Sequence, residues 1–95
     1  MTRLAKFLNK RYLGGKMKIG MLWFDNEPTK TLEAKVGEAA TYFEGKYGLA
    51  PDTCFAHPLA SGELGVLQVG GVMVRPTHQV LPNHLWIGVE VKPDA

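Results

Sequence analysis

Apolar and polar residues follow one another along this chain in two different rhythms, one typical of strands and one typical of a helix. Residues 18–24 are apolar on both alternating faces, with Ile19, Met21 and Trp23 on one of them. A strand of this kind requires cover on both sides of its sheet. The same reasoning predicts further strands over residues 52–57, 66–69, 72–75 and 85–91, of which 66–69 has the weakest pattern.

A helical rhythm occupies the segment between the first two strands. Residues 28–48 place apolar side chains along one stripe, which consists of Leu32, Val36, Ala39, Ala40, Phe43 and Tyr47. Pro28 suits the first turn, Thr29 or Thr31 can cap the N-terminus, and Gly48 suits the C-terminus. A strand, a helix and a second strand with short connections predict a βαβ unit with parallel strands and a right-handed crossover.

These elements predict an α/β (α+β) fold. The expected architecture is a two-layer sandwich with a mixed sheet of four or five strands, in which the βαβ unit precedes a C-terminal β-hairpin of residues 72–75 and 85–91. A tight hairpin across Gly70-Gly71 is an alternative to a single strand in this region. The helix would cover one face of the sheet, and an N-terminal helix or a second copy of the chain would cover the other.

The first 16 residues stand apart in charge and pattern. Residues 1–18 hold six basic residues and no acidic one, a net charge of +6, whereas the remaining residues sum to −4. Apolar residues at helical spacing predict a basic amphipathic helix that ends at Gly14-Gly15; they are Leu4, Phe7, Leu8 and Tyr12. The basic residues of this arm are Arg3, Lys6, Lys10 and Arg11. The chain is therefore expected to contain a basic segment, residues 1–16, and one small α/β domain, residues 17–95.

Three interpretations of the basic segment remain open. The segment can bind nucleic acid or an anionic surface, where each basic residue near a phosphate adds salt-dependent affinity. It can pack its apolar face on the sheet or on a second subunit, which is favoured because an apolar face at helical spacing is usually buried. It can also lie outside the natural domain, since Met17 is itself a plausible chain start.

Composition narrows the expected compartment and the classes of site. Cys54 is the only cysteine, so an internal disulfide and cysteine-rich zinc sites are excluded and a cytoplasmic location is predicted. The apolar runs are far shorter than the roughly 18 residues that span a bilayer, and no secretory signal is evident. The chain carries no glycine-rich phosphate-binding motif, and we expect no cofactor.

One pair of residues suggests catalysis. Asp25 follows the first predicted strand and His57 follows the second, and ligands often bind at the carboxyl ends of parallel strands. An Asp–His pair at hydrogen-bonding distance can act as a general base. The favoured interpretation is simpler, because Asp25, Asn26 and Glu27 supply the oxygen acceptors and negative charge that suit the start of a helix. We therefore expect that Asp25 and His57 do not meet.

Nucleophile and metal arrangements are weaker still. Cys54 and His57 point to opposite faces of a strand, so they cannot pair while the strand is regular. The three histidines, His57, His78 and His84, lack the spacing of a metal-binding motif, and no metal site is predicted.

The favoured function is binding to a protein rather than catalysis. The predicted binding residues are Trp23, Asn26, Met73, Arg75 and Trp86. Around Trp23, Met73 and Trp86, apolar area on an uncovered sheet face would form the surface of a homodimer or of a complex with another protein. The alternatives are a nucleic-acid-binding accessory protein that uses the basic arm, and a small enzyme that uses Asp25 and His57.

Overall fold

A mixed β-sheet and one main helix form the described part of the protein. The computed structural model describes residues 7–8, 11–12, 15–61 and 65–90. Its elements are β1 (Phe7–Leu8), β2 (Arg11–Tyr12), β3 (Gly15–Phe24), α1 (Leu32–Tyr47), β4 (Thr53–Ala56), α2 (Pro58–Ser61), β5 (Leu67–Val69), β6 (Val72–Pro76) and β7 (His84–Glu90). The five longer strands are ordered β3-β7-β4-β6-β5, and β1 and β2 both pair with β3. This arrangement confirms the predicted mixed sheet.

Helix α1 forms along the predicted apolar stripe but begins at Leu32, four residues after the predicted start at Pro28. Thr31 caps its N-terminus by accepting a hydrogen bond from the Ala34 N–H at 3.1 Å, and the left-handed Gly48 ends it with φ of 72°. The stripe buries Val36, Ala39 and Phe43 against the sheet. Among the described residues, no helix combines the length and the apolar character that a membrane crossing requires.

The order of the strands differs from the prediction in two respects. Strands β3 and β4 both run antiparallel to β7, so they are parallel to each other, but β7 lies between them and the βαβ unit is split. The predicted hairpin of residues 72–75 and 85–91 is wrong, because β6 pairs with β4 in parallel and with β5 across the Gly70 turn. The reason lies in burial: β7 buries Leu85, Trp86 and Ile87 in succession, and a strand apolar on both faces is best covered at the centre of a sheet.

Two glycines allow β3 and β7 to pair as closely as they do. Gly20 and Gly88 are direct cross-strand partners. A side chain at Gly20 would collide with the Trp86 indole, and a side chain at Gly88 would collide with the main-chain oxygen of Ile19. The Trp86 ring can therefore pack against Gly20 only because Gly20 carries no side chain.

The two faces of the sheet carry separate apolar clusters. The face toward α1 holds the larger one, which includes Met21, Trp23, Phe43, Cys54, Val74 and Ile87. The opposite face holds a smaller one, which consists of Met17, Phe55, Val80 and Trp86, with Leu22 packed against it. Val80 belongs to the connection between β6 and β7, so part of the second face is covered from within the chain.

The predicted N-terminal helix and the two-layer sandwich that includes it are not confirmed. Phe7–Leu8 and Arg11–Tyr12, the residues described within the basic segment, are short strands antiparallel to β3. Residues 1–6, 9–10 and 13–14 lie outside the described part of the chain. The extended conformation has a physical reason, since the edge of β3 that faces away from β7 offers main-chain N–H and C=O groups that require partners.

Candidate binding cleft

A cleft of about 350 Å³ opens at the edge of the sheet where β3 and β4 end and β7 begins. It is lined by Asp25, Lys30, Leu32, Lys35, Leu59, Ala60, Pro82, Asn83, His84 and Leu85. Because β7 lies between β3 and β4, residues 82–85 form the floor, the connection from β3 to α1 and the first turn of α1 form one wall, and α2 forms the other. The first wall carries the charged residues, whereas the α2 wall contributes Leu59 and Ala60 and is apolar.

Asp25 is the structural centre of the charged wall. Its side chain is only 1% exposed; Oδ1 accepts a hydrogen bond from the Glu27 N–H at 2.9 Å, and Oδ2 accepts one from the Lys30 ammonium at 3.0 Å. Its own N–H donates to the Asn83 oxygen at 2.9 Å, which ties this wall to the floor. Burial acts to raise the pKa of the Asp25 carboxyl, but the Glu27 and Lys30 hydrogen bonds outweigh burial and hold that pKa below its usual value. Asp25 is therefore a carboxylate committed to holding the loop together.

The two lysines of the charged wall differ in their partners. Lys30 contacts two carboxylates, Asp25 at 3.0 Å and Glu38 at 3.1 Å, and the hydrogen bond to Asp25 is the main reason that the pKa of Lys30 is raised. Lys35 donates to the main-chain oxygen of Asp25 at 3.1 Å. No carboxylate among the described residues forms an ion pair with Lys35. Lys35 is thus an oriented ammonium group that forms no ion pair among the described residues and acts on the Asp25 carboxylate only through its charge.

Two residues of the floor have constrained geometry. Asn83 adopts a left-handed conformation with φ of 66°, which asparagine tolerates better than most residues. The Nδ1 atom of His84 lies 2.9 Å from the Pro82 oxygen. A carbonyl oxygen can only accept, so Nδ1 carries a proton and Nε2 is the nitrogen left for other contacts. The His84 ring also stacks at a tilt on Phe24, with centroids 4.9 Å apart, so its orientation is fixed from two sides.

The structure does not bring the candidate pair Asp25 and His57 together. Strand β7 separates the strands that precede them, and two strand spacings amount to about 9–10 Å. The Nδ1 atom of His57 accepts a hydrogen bond from the Leu59 N–H at 3.1 Å, and its ring lies edge-on to His78 with centroids 5.3 Å apart. Asp25 and its neighbours instead serve the turn before α1, as in the favoured interpretation: Thr29 Oγ1 donates to Glu27 at 2.8 Å.

The predicted binding residues are dispersed over the molecule. Trp23 and Trp86 are each about 1% exposed and belong to clusters on opposite faces of the sheet. Asn26 is exposed, Met73 is half-buried, and Arg75 lies 3.9 Å from the Glu90 carboxylate. These five residues do not share one exposed surface. Of the basic arm, Arg3, Lys6 and Lys10 lie outside the described residues, and Arg11 is described only as part of β2.

Nucleophilic chemistry at Cys54 has no support in the geometry. The thiol is fully buried in the α1-facing cluster, and burial raises its pKa far above the usual value, so it is not a thiolate. His57 cannot readily ligate a metal through Nε2, because its Nδ1 already acts as an acceptor and a ligating histidine normally donates from its second nitrogen. No group of three or more metal-ligating side chains occurs within the described residues.

Sequence reasoning missed most of the cleft. Lys30, Lys35, Leu59 and His84 come from three segments that are far apart in the chain. The one local signal was the Pro82-Asn83 turn directly before an apolar strand, which marks a place where the backbone reverses at a sheet edge. Comparisons of the chain with protein-family models, curated proteins and solved structures find no match. Functional inference therefore depends on the cleft itself.

Proposed function

We propose that this protein is an interaction module that binds a segment of a partner protein in the cleft at the start of β7. The observation that carries the proposal is the exposure of two leucines: Leu59 is 79% exposed and Leu81 is 67% exposed. They are the two most exposed large apolar side chains among the described residues. Leu59 lines the cleft, and Leu81 directly precedes Pro82 in its floor. Apolar side chains exposed beside a concave site favour a macromolecular ligand.

Binding is favoured over catalysis by the state of the polar residues. Asp25 is an ionised carboxylate already occupied by Glu27 and Lys30, so it is poorly suited to exchange protons near neutral pH. The alternative enzyme based on Asp25 and His57 has no supporting contact among the described residues, and the Cys54 thiol is buried. The remaining groups of the cleft are suited to recognition: an ammonium, an amide, an oriented imidazole and aliphatic side chains.

Two sequence-based predictions concern the partner of this protein. Self-association, predicted from the sequence, is one form of the same function, in which a second copy supplies the bound segment. Nucleic-acid binding by the basic arm stays a separate prediction, because the side chains of that arm lie outside the described part of the chain. A cytoplasmic location likewise stays a prediction drawn from the single cysteine.

A peptide-display selection with the full chain as bait tests the proposal. We expect selected peptides to bind the natural protein and to lose at least about tenfold in affinity for the double variant Leu59→Ser, Leu81→Ser, since burying one leucine is worth about 1.5–3 kcal/mol and tenfold corresponds to about 1.4 kcal/mol. Val66→Ser is the matched control, because Val66 is 59% exposed and does not line the cleft. Sedimentation of the natural chain over a wide concentration range identifies self-association.

The proposal fails if selection enriches no binding peptide, or if the selected peptides bind the double variant as tightly as the natural protein. Thermal melts of all three proteins establish that loss of binding does not come from loss of fold. The substituted side chains are largely exposed, so we expect their effect on stability to stay within about 0.5 kcal/mol each.

A further inference from the structure

We propose that the segment bound in the cleft is an extended peptide in which acidic and aliphatic side chains alternate, with a carboxylate on Lys35 and an aliphatic side chain on Leu59. The inference rests on the proposed function and names the chemistry of the partner. The two walls of the cleft differ in chemistry. One wall presents Lys30 and Lys35, and the other presents Leu59 and Ala60. A segment that lies between them meets a cation on one side and an apolar surface on the other.

The charged wall has one ammonium to offer. Lys30 is held by the carboxylates of Asp25 and Glu38, at 3.0 and 3.1 Å. Lys35 is oriented by a hydrogen bond to the Asp25 main-chain oxygen at 3.1 Å and has no ion-pair partner among the described residues. An ammonium has three N–H donors, and the bond to Asp25 uses one of them. Lys35 is therefore positioned to donate to an anion that enters the cleft.

The local charge balance selects a monoanion. The carboxylates of Asp25 and Glu38 lie on the same wall as Lys30. Their two negative charges offset the positive charge of Lys30 and also weaken the attraction of Lys35 for an anion. A group with two negative charges, such as a phosphate monoester, would gain one free ammonium and meet two carboxylates. The two carboxylates and the two ammonium groups of this wall sum to zero, so a carboxylate adds the smallest negative charge that can still accept a charge-assisted hydrogen bond from Lys35.

The two-sided chemistry of the cleft favours an extended segment. In an extended chain, successive side chains point to opposite sides, so an alternation of acidic and aliphatic residues places each kind on the wall that suits it.

Fluorescently labelled peptides with blocked ends test this chemistry. The probe alternates leucine and glutamate. A second peptide replaces every glutamate by glutamine, and a third is the glutamine peptide with a free terminal carboxylate, which separates a side-chain carboxylate from a chain terminus. We expect the glutamate peptide to bind at least about tenfold more tightly than both glutamine peptides, and its affinity to fall as salt is raised.

Variants of the full chain locate the contact. Lys35→Met keeps the aliphatic stem and removes the charge, so it should abolish the preference for glutamate. Lys35→Gln removes the charge but keeps a donor for the Asp25 oxygen, and it gives the same test if the methionine variant unfolds. Lys46→Met is the matched control, because Lys46 is an exposed lysine in the last turn of the same helix and does not line the cleft.

The outcomes separate this inference from the proposed function. Equal binding of the glutamate peptide and the blocked glutamine peptide overturns the inference. A preference for glutamate that survives both substitutions at Lys35, or that is lost equally in Lys46→Met, also overturns it. Tight binding of the third peptide alone identifies a chain terminus as the ligand and also overturns it. If displayed peptides depend on Leu59 and Leu81 but show no acidic preference, the interaction function stands and the inference fails; if no peptide binds at all, both fail.

Discussion

The packing of α1 on the sheet makes a quantitative prediction at Phe43. This side chain is fully buried, belongs to the α1-facing cluster, and lies with its ring centroid 4.7 Å from that of Tyr47. Phe43→Ala should lower the free energy of unfolding by about 3–5 kcal/mol, because the change removes apolar contacts and leaves a cavity that a packed sheet and helix fill only in part. The loss of the contact with Tyr47 contributes about 0.5–1.5 kcal/mol of this amount.

That cost is large for a chain of this size. Typical stabilities of 0.05–0.15 kcal/mol per residue correspond to about 5–14 kcal/mol for 95 residues. Urea unfolding followed by tryptophan fluorescence measures the change, and Trp23 and Trp86 report on the two faces of the sheet because each is buried in a different cluster. Glu44→Ala is the matched control at the next, exposed position of the helix and should change stability by less than about 0.5 kcal/mol.

A cost below about 1 kcal/mol for Phe43→Ala with an unchanged urea slope would contradict this prediction. Such a result would mean that Phe43 is exposed in solution and that α1 packs on the sheet with another face. Disagreement between the two tryptophans, each observed alone after replacement of the other by phenylalanine, would show that the two clusters do not unfold as one cooperative unit.

The remaining predictions concern single positions. Gly37→Ala should raise the stability by about 0.5–1 kcal/mol in the same urea assay, because Gly37 lies inside α1 and an added Cβ meets no atom within 4 Å. Gly88→Ala should instead prevent normal pairing of β3 and β7, seen as a loss of cooperative unfolding, because its Cβ collides with the main chain of β3. The pKa of Asp25 is lowered in the folded state, so Asp25 stabilises the fold fully above the unfolded pKa of about 3.9, and this stabilisation is lost as pH falls through the lower folded pKa. In Asp25→Asn, the free energy of unfolding, measured from pH 6 downward, should therefore depend less on pH below about pH 4 than in the natural protein. The Cys54 thiol should react with a thiol reagent such as Ellman's only as fast as the protein opens, and rapid reaction of the folded protein at neutral pH would contradict its burial.

The local elements of this protein follow from the sequence. Helix α1 is predicted by the spacing of Val36, Ala39 and Phe43 and its C-terminal end by Gly48, because helix periodicity and capping involve residues that are near one another in the chain. Its N-terminal end was left open between Thr29 and Thr31, and the structure places the cap at Thr31. The four strands after α1 and the strand directly before it are likewise predicted, with no bound more than three residues from the observed one. Each of these features depends on interactions within about one turn or one strand.

The order of the strands was decided by tertiary structure. Proximity in the chain favours a hairpin of β6 and β7. Instead, β7 lies between β3 and β4, where Ile87 is buried on one face of the sheet and Trp86 on the other. Gly20 pairs with Gly88, and the Trp86 ring packs against Gly20. The two glycines are 68 positions apart in the chain, so no local sequence pattern predicts that they pair. Several apolar strands have a periodicity that allows them to pair, and the periodicity of a strand does not specify which neighbour it takes.

The cleft has the same origin. Lys35 belongs to α1, Leu59 follows β4, and His84 opens β7, so the three meet only because β7 is inserted between the two parallel strands. If β3 and β4 were neighbours, Asp25 and His57 could approach each other, and residues 82–85 would not lie between them. Because periodicity is local, the sequence predicts α1 and the strands from β3 to β7, but it does not predict α2 or the strands β1 and β2, which lie on the edge of β3 where a helix was expected. Which side chains share a site depends on long-range packing, since the burial of β7 outweighs the short connection that a hairpin would have used.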